Sequence, residues 1–154
     1  MSLFHDLVDR FTQSVTAYVG DKALMLAAVS AASNVIVADS EVDDEEVETA
    51  LAGMRANPIL QKGYDTLMLE TELFDGIARA RTRAGRAENL GRVAAIVDRD
   101  IEQRNNVFLI AADVADHEGI SDVERKALAE VAAALAVDME ALLRASPVKV
   151  VPAP

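Results

Sequence analysis

Carboxylate side chains are concentrated in two short stretches, one in each half of the chain. The first stretch reads Asp39-Ser40-Glu41-Val42-Asp43-Asp44-Glu45-Glu46, and the second reads Asp116-His117-Glu118-Gly119-Ile120-Ser121-Asp122-Val123-Glu124. Seven acids fall between positions 39 and 48. Hard divalent cations such as Ca²⁺ and Mg²⁺ prefer carboxylate and carbonyl oxygens as ligands. Cation binding is therefore the first chemistry that these residues suggest.

Some of these residues have a structural explanation. Asp43 and Ser121 each precede a glutamate by three positions, Glu46 and Glu124 respectively. This spacing is typical of a capping box, in which the two side chains satisfy backbone groups at a helix start and contribute about 1 kcal/mol. We therefore predict that Asp43, Glu46, Ser121 and Glu124 begin two helices.

Capping does not explain the acids that precede these helix starts. Asp39 and Glu41 in the first stretch, and Asp116 and Glu118 in the second, are the predicted ligands of a divalent cation, with Ca²⁺ or Mg²⁺ favoured. They would bind it together or in two separate turns. The alternative is a solvated acidic loop in which Asp39 or Asp116 accepts hydrogen bonds from nearby backbone N–H groups.

Two familiar kinds of metal site fit poorly. An EF-hand loop needs glycine at its sixth position and glutamate at its twelfth. Counting from Asp39 gives Asp44 and Ala50, and counting from Asp116 gives Ser121 and Ala127. His117 raises the possibility of zinc, but Ser40 is its counterpart in the first stretch, so an exposed turn histidine is the preferred interpretation. Any cation site is expected to be irregular.

Composition narrows the function further. The chain has no cysteine, which excludes disulfides and thiolate ligands, and no serine or threonine lies in a histidine-containing catalytic signature. We expect no enzymatic activity. The net charge of −11 disfavours nucleic acid and anionic membrane surfaces as partners. The start of the chain lacks the pattern of a secretory signal, so a cytoplasmic protein is expected.

The elements that position the acidic stretches are predicted to be helices. Of the 154 residues, 51% are hydrophobic and only 4% aromatic, which indicates close-packed helices with a core of Ala, Leu, Val and Ile. Apolar spacing predicts a first amphipathic helix from Phe4 to Tyr18. A central helix follows from Lys22 to about Ala38, too short and too interrupted by polar residues to span a membrane.

Further helices follow the same periodicity. One contains Val47 to Met54 and ends at Asn57-Pro58, after which a connection runs to Gly63. The next is expected to end at Gly85, with Arg79, Arg81 and Arg83 near its C-terminus. Later helices contain Leu90 to Val97, Val107 to Ala115 and Val123 to Leu135, and Asp138 caps a last short one.

The two halves resemble each other. Asp21-Lys22 is expected to open the central helix of the first half as Asp98-Arg99 opens that of the second, and each helix leads into an acidic stretch. We predict an all-α compact helical bundle of about seven helices with an internal pseudo-twofold repeat. Residues 1–145 form a single domain in this prediction, and residues 146–154, rich in proline, form a flexible C-terminal tail.

The acidic stretches carry a family resemblance. Residues 38–46, Ala-Asp-Ser-Glu-Val-Asp-Asp-Glu-Glu, resemble the Ala-Asp-Gly-Glu-(Ile/Val)-(Ser/Asp)-x-x-Glu turn of the tellurite-resistance TerB family, and residues 115–124 resemble a second copy. The departures are Ser40 and His117 in place of glycine and the inserted Gly119. The resemblance extends over nearly the whole chain.

The resemblance implies a non-enzymatic cytoplasmic component of a tellurite-resistance or metal-stress system. It implies that the acidic residues bind a divalent cation, and that the partners are other tellurite-resistance proteins, including the membrane protein TerC. Through such a partner the protein would lie peripherally at the inner face of the membrane, without inserting. The alternative is an acidic protein-interaction module that works without metal.

A basic segment offers a second surface for partners. Seven arginines lie between Arg79 and Arg104, against four acids. The simpler interpretation is a solvated surface near helix ends. The functional interpretation is a docking face for an acidic partner or for the acidic turn of another copy, because arginine binds carboxylates bidentately.

Overall fold

The computed structural model describes residues 20–116 and 119–146. Within these ranges the chain forms eight helices and no strand, which confirms the all-α compact helical bundle. The helices are α1 (Lys22–Ile36), α2 (Asp44–Ala56), α3 (Pro58–Gly63), α4 (Thr66–Ala80), α5 (Arg83–Ala94), α6 (Ile101–Ala115), α7 (Asp122–Leu135) and α8 (Met139–Ala145). The amphipathic helix predicted at Phe4 to Tyr18 and the tail from residue 147 onward lie outside the described residues.

Helix α1 is the centre of the bundle, as its apolar residues on nearly every face predicted. Twelve of its residues are buried, and it packs against α2, α4, α5, α6 and α7. Helix α6 is the second central element and contacts α1, α2, α7 and α8. The core consists mainly of Ala, Leu, Val and Ile, with Phe108 as its largest fully buried side chain. No helix among the described residues is long and apolar enough to cross a membrane.

The region between Asn57 and Gly63 was predicted as a connection, and it is a helix. The proline ends α2 as expected, because the residue before it is held in an extended conformation. Pro58 then serves as the first residue of α3, and the Asn57 side-chain oxygen accepts hydrogen bonds from the N–H groups of Ile59 (2.9 Å) and Leu60 (3.1 Å). Proline is well tolerated at a helix start, so a single Asn-Pro pair ends one helix and begins the next.

The prediction that Gly85 ends a helix is wrong. Helix α4 ends at Ala80, and Thr82 caps α5 by accepting a hydrogen bond from the Gly85 N–H at 2.9 Å. Gly85 therefore lies in the first turn of α5, together with Arg83. A Cβ atom at Gly85 would lie 1.7 Å from the carbonyl oxygen of Arg79. The glycine is required for the close approach of two helices.

The proposed helix start at Asp98-Arg99 is also wrong. Helix α6 begins at Ile101, and Arg99 lies in the preceding turn. Its guanidinium group binds both carboxylate oxygens of Asp21 (2.7 and 3.0 Å), while Asp21 also caps α1 through the Leu24 N–H. These hydrogen bonds hold the pKa of Asp21 below its ordinary value. One residue from each of the two matched pairs, Asp21 and Arg99, thus forms an ion pair that joins the two halves.

A buried polar network connects α1, α4 and α5. Asn89, which has no exposed surface, accepts a hydrogen bond from Arg79 Nε at 2.9 Å and donates to Asn34 Oδ1 (3.0 Å) and to the Gly76 carbonyl oxygen (3.1 Å). Asn34 in turn donates to the carbonyl oxygen of Arg86 at 3.2 Å. Each of the three helices therefore contributes a polar group to a chain of hydrogen bonds within the core.

Candidate acidic corner

The first acidic stretch forms the turn between α1 and α2. The Asp39 carboxylate accepts a hydrogen bond from the Glu41 N–H at 3.1 Å, which is the local backbone contact that the loop interpretation predicted. Ser40 has a φ of 68°, in the left-handed region that non-glycine residues rarely adopt. The side chains of Asp39 and Glu41 are both exposed. On their own they form a solvated turn.

The second acidic stretch forms the turn between α6 and α7. Asp116 follows the last residue of α6, and its Oδ1 atom is buried without a hydrogen-bond partner among the described residues. Among the described residues of this turn, Gly119 lies in the left-handed region, with a φ of 90°. It is the inserted residue and has no counterpart in the first turn, so the two turns differ in length. His117 and Glu118 lie outside the described residues.

The two helix starts after these turns also differ. Ser121 and Glu124 form the predicted capping box: Ser121 Oγ accepts from the Glu124 N–H at 3.3 Å, and Glu124 Oε1 accepts from the Ser121 N–H at 3.1 Å. Asp43 caps α2 by accepting from the Glu45 N–H at 2.9 Å. Glu46, however, makes no capping bond. The capping role predicted for Glu46 is therefore wrong.

Glu46 is instead a buried carboxyl group. It lies on the same face of α2 as Val47, Ala50 and Met54, which pack into the core, and only 8% of its surface is exposed. This face directs the side chain into the bundle and away from the helix start. Its Oε2 atom has no hydrogen-bond partner among the described residues.

Glu46 is surrounded by other acids. Burial and, in decreasing order of importance, the negative charges of Asp39, Glu124 and Asp43 together raise the pKa of Glu46 to about 7. Glu124 comes from the second half of the chain, so both acidic stretches contribute to one electrostatic environment. We refer to Asp39, Asp43, Glu46 and Glu124 as the acidic corner.

The acidic corner differs from the predicted ligand set of Asp39, Glu41, Asp116 and Glu118. Among the described residues no three His, Asp or Glu side chains are placed so that they could hold a metal ion together. The four-ligand site remains a prediction, with Glu118 outside the described part of the chain. The acidic corner contains two buried carboxyl groups, each with 8% of its surface exposed: Glu124, which forms a capping box, and Glu46, which does not. The signal for the burial of Glu46 was present in the apolar residues at positions 47, 50, 51 and 54, which share its face.

Comparison with known proteins gives no relative: no family model matches the chain, and neither does any curated protein or solved structure.

Proposed function

We propose that the protein is a non-enzymatic component of a metal-stress system of the tellurite-resistance type, and that its acidic corner binds a divalent cation. The observation that carries this proposal is the Oε2 atom of Glu46, which is buried without a hydrogen-bond partner among the described residues and lies close enough to Asp39, Asp43 and Glu124 for their charges to raise its pKa. The resemblance of both acidic turns to the TerB motif supplies the biological system.

A bound cation would remove the energetic cost of burying the Glu46 carboxylate among other acids. A buried carboxylate without a partner is destabilising, and like charges around it add to that cost. Calcium accepts six to eight oxygen ligands in flexible geometry, so it tolerates the irregular spacing of a corner built from two turns. In this proposal Glu46 is the inner ligand. Asp39 and Asp43 would move from their present positions, in which no three such side chains are placed to hold an ion together, and close over the ion from the solvent side. Asp116, with its own unpartnered Oδ1 atom, and Glu41 and Glu118 are the additional candidates.

Isothermal titration calorimetry with Ca²⁺, Mg²⁺, Mn²⁺ and Zn²⁺ tests the proposal. We expect saturable binding of Ca²⁺ or Mg²⁺ to the wild type and its loss in Glu46→Gln. Binding should be tighter at pH 8 than at pH 6, because protons compete with the ion for Glu46. The matched control is Glu48→Gln, which removes one exposed acid from the same helix. The double variant Asp39→Asn with Asp116→Asn tests the outer ligands.

The results separate the possible sites. Equal binding by the wild type and Glu46→Gln would reject Glu46 as a ligand. Binding that also survives the double variant would place the ion elsewhere. Absence of binding by any of the four ions would reject the cation site as a whole.

The second candidate is an acidic interaction module that works without metal. It is favoured by the exposure of Asp39, Glu41, Asp43, Asp44 and Glu45 along one turn and helix start, which presents carboxylates to a basic partner. The TerB resemblance suggests other tellurite-resistance proteins and membrane-embedded TerC as such partners, in the cytoplasm or at the inner face of the membrane. Pull-down with tagged TerC in the presence of EDTA distinguishes the two candidates, because only the second predicts retention without cations.

A further inference from the structure

A cleft separates α5 from α7 on the side of the bundle where α1 ends. Its volume is about 510 Å³, which lies within the range of small-molecule sites in proteins. The lining residues come from three helices and the turn after α1, and they are Asn34, Ala38, Arg83, Arg86, Ala87, Leu90, Val123, Lys126, Ala127 and Glu130.

The cleft is basic although the protein is acidic. Arg83, Arg86 and Lys126 line it, against Glu130 as its single acid, while the whole chain has a net charge of −11. Arg86 donates a hydrogen bond to the Ala80 carbonyl oxygen at 3.2 Å. Arg83 and Lys126 form no ion pair or hydrogen bond with any described residue. Two cations therefore face the cleft without an ion-pair partner among the described residues.

The position of Arg83 at a helix start adds to the excess of positive charge in the cleft. It is the first residue of α5, where the partial positive charge of the helix dipole disfavours a cation and favours an anion. Because no carboxylate of the described chain pairs with Arg83, an anion supplied from solution would be attracted both by the side chain and by the helix start.

The walls between these cations are apolar. Ala87 and Leu90 contribute from α5, and Val123 and Ala127 from α7. Val123 is 51% exposed, so its side chain is available to contact a ligand in the cleft. Burial of this apolar surface by a ligand would be favourable. The cleft thus combines an apolar surface with unpaired positive charges.

We propose that this cleft binds a monomeric amphipathic anion, that is, a small molecule with an apolar body and a carboxylate or phosphate head group. The apolar body would pack between Leu90 and Val123, and the head group would bind Arg83 and Lys126. The net charge of −11 repels a large acidic partner over distances of about a Debye length, roughly 8 Å at physiological salt. For a small anion within the cleft, attraction by the nearby cations outweighs this repulsion. Charge and volume therefore both favour a small ligand.

Calorimetric titration with decanoate, below its micellar concentration, tests the proposal, and acetate serves as the head group without an apolar body. We expect saturable binding of decanoate and none of acetate. Arg83→Glu combined with Lys126→Glu should weaken decanoate binding by about fivefold or more, since both attractive charges become repulsive. The control, Lys62→Glu combined with Arg144→Glu, changes the net charge equally at exposed positions outside the cleft.

A second variant tests the apolar wall. Val123→Asp places an acid in the first turn of α7, where the dipole tolerates it, so the fold should persist; circular dichroism verifies this. It should weaken decanoate binding as well. Failure of the wild type to bind decanoate would overturn the proposal, as would equal losses in the charge-reversal pair and its control. Sedimentation with phosphatidylglycerol vesicles without binding of monomeric decanoate would assign the cleft to a membrane surface and would equally overturn it.

Discussion

Glu46 is a residue whose ionisation reduces the stability of the folded protein. Its carboxyl group is buried among the charges of Asp39, Asp43 and Glu124, and its pKa rises from the ordinary value of 4.5 to about 7. The folded protein therefore holds this proton over a pH range in which the unfolded chain has released it. Stability from this group is highest at acidic pH and is lost as the pH rises from 4.5 to 7. The loss amounts to about 3 kcal/mol at most.

Replacement of Glu46 by glutamine should remove the loss of folding stability that accompanies the rise in pH. We expect Glu46→Gln to be more stable than the wild type at pH 8 by about 2 to 3 kcal/mol in EDTA, with a much smaller difference at pH 5. Urea denaturation at the two pH values measures both differences. Glu48→Gln, an exposed position in the same helix, should leave the pH profile unchanged. Parallel pH profiles for the wild type and Glu46→Gln would contradict this explanation.

The roles of individual acids were only partly predictable from sequence. The capping box of Ser121 and Glu124 has a spacing rule, and it is present. Asp43 and Glu46 have the same spacing but a different outcome, although Glu46 and Glu124 are equally buried. Asp43 caps the N–H of Glu45, two positions on, whereas Ser121 caps the N–H of Glu124, three positions on. A spacing rule contains no information about which of these local hydrogen bonds forms.

At the scale of elements, the close packing of α4 against α5 depends on the absence of a side chain at Gly85. Gly85 allows the first turn of α5 to lie against the carbonyl end of α4, since a Cβ atom there would lie 1.7 Å from the Arg79 oxygen. Gly91 lies in the same helix, with nothing within 4 Å of the equivalent position. The two glycines therefore lie in the same helix, Gly85 in a crowded position and Gly91 in open space.

Alanine substitutions at these two glycines should have opposite effects. Gly85→Ala should destabilise the protein by about 2 kcal/mol or more, because backbone atoms must move. Gly91→Ala should stabilise it by about 0.5 to 1 kcal/mol through helix propensity alone. Thermal and urea denaturation of both variants measure the contrast. A stabilising Gly85→Ala would show that α4 and α5 separate readily.

Apolar periodicity predicts that these helices exist, but it does not predict several of the residues at which they begin and end. The periodic helices α1, α2 and α7 occur where predicted. The errors at Asn57 to Gly63, at Gly85 and at Asp98-Arg99 arise where a residue has two compatible roles. Proline ends one helix and begins another, and glycine either stops a helix or permits close packing. Only the surrounding structure decides between such roles.

At the scale of the whole molecule, stability should be unevenly distributed. Helix α1 is buried along most of its length and contacts five other helices. No residue of helix α8 is fully buried, and within the described part of the chain its main contacts are with α6 and α7. The core residues of the described chain form a single hydrophobic cluster that includes α1 and α6. The bundle should therefore unfold locally from α8 and globally only with α1.

Amide hydrogen exchange measures this gradient. We expect the amides of α1 to exchange at rates set by global unfolding, and those of α8 to exchange far faster through local opening. Helix α6, the second central element, provides the internal control and should resemble α1. Equal protection of α1 and α8 would indicate that contacts of the last helix are stronger than its exposure suggests.

The Asn89 network has a consequence for the uniqueness of the fold. Surfaces of alanine, leucine and valine are smooth, and two such helices can slide or roll against each other at little energetic cost. Asn89 accepts a hydrogen bond from Arg79 and donates one to Asn34 in one relative alignment of α1, α4 and α5, with Nη2 of Arg79 left buried without a partner among the described residues. Every shifted alignment would strand more polar groups in an apolar interior. A few amide groups thus select a single packing from many that the hydrophobic residues alone would accept.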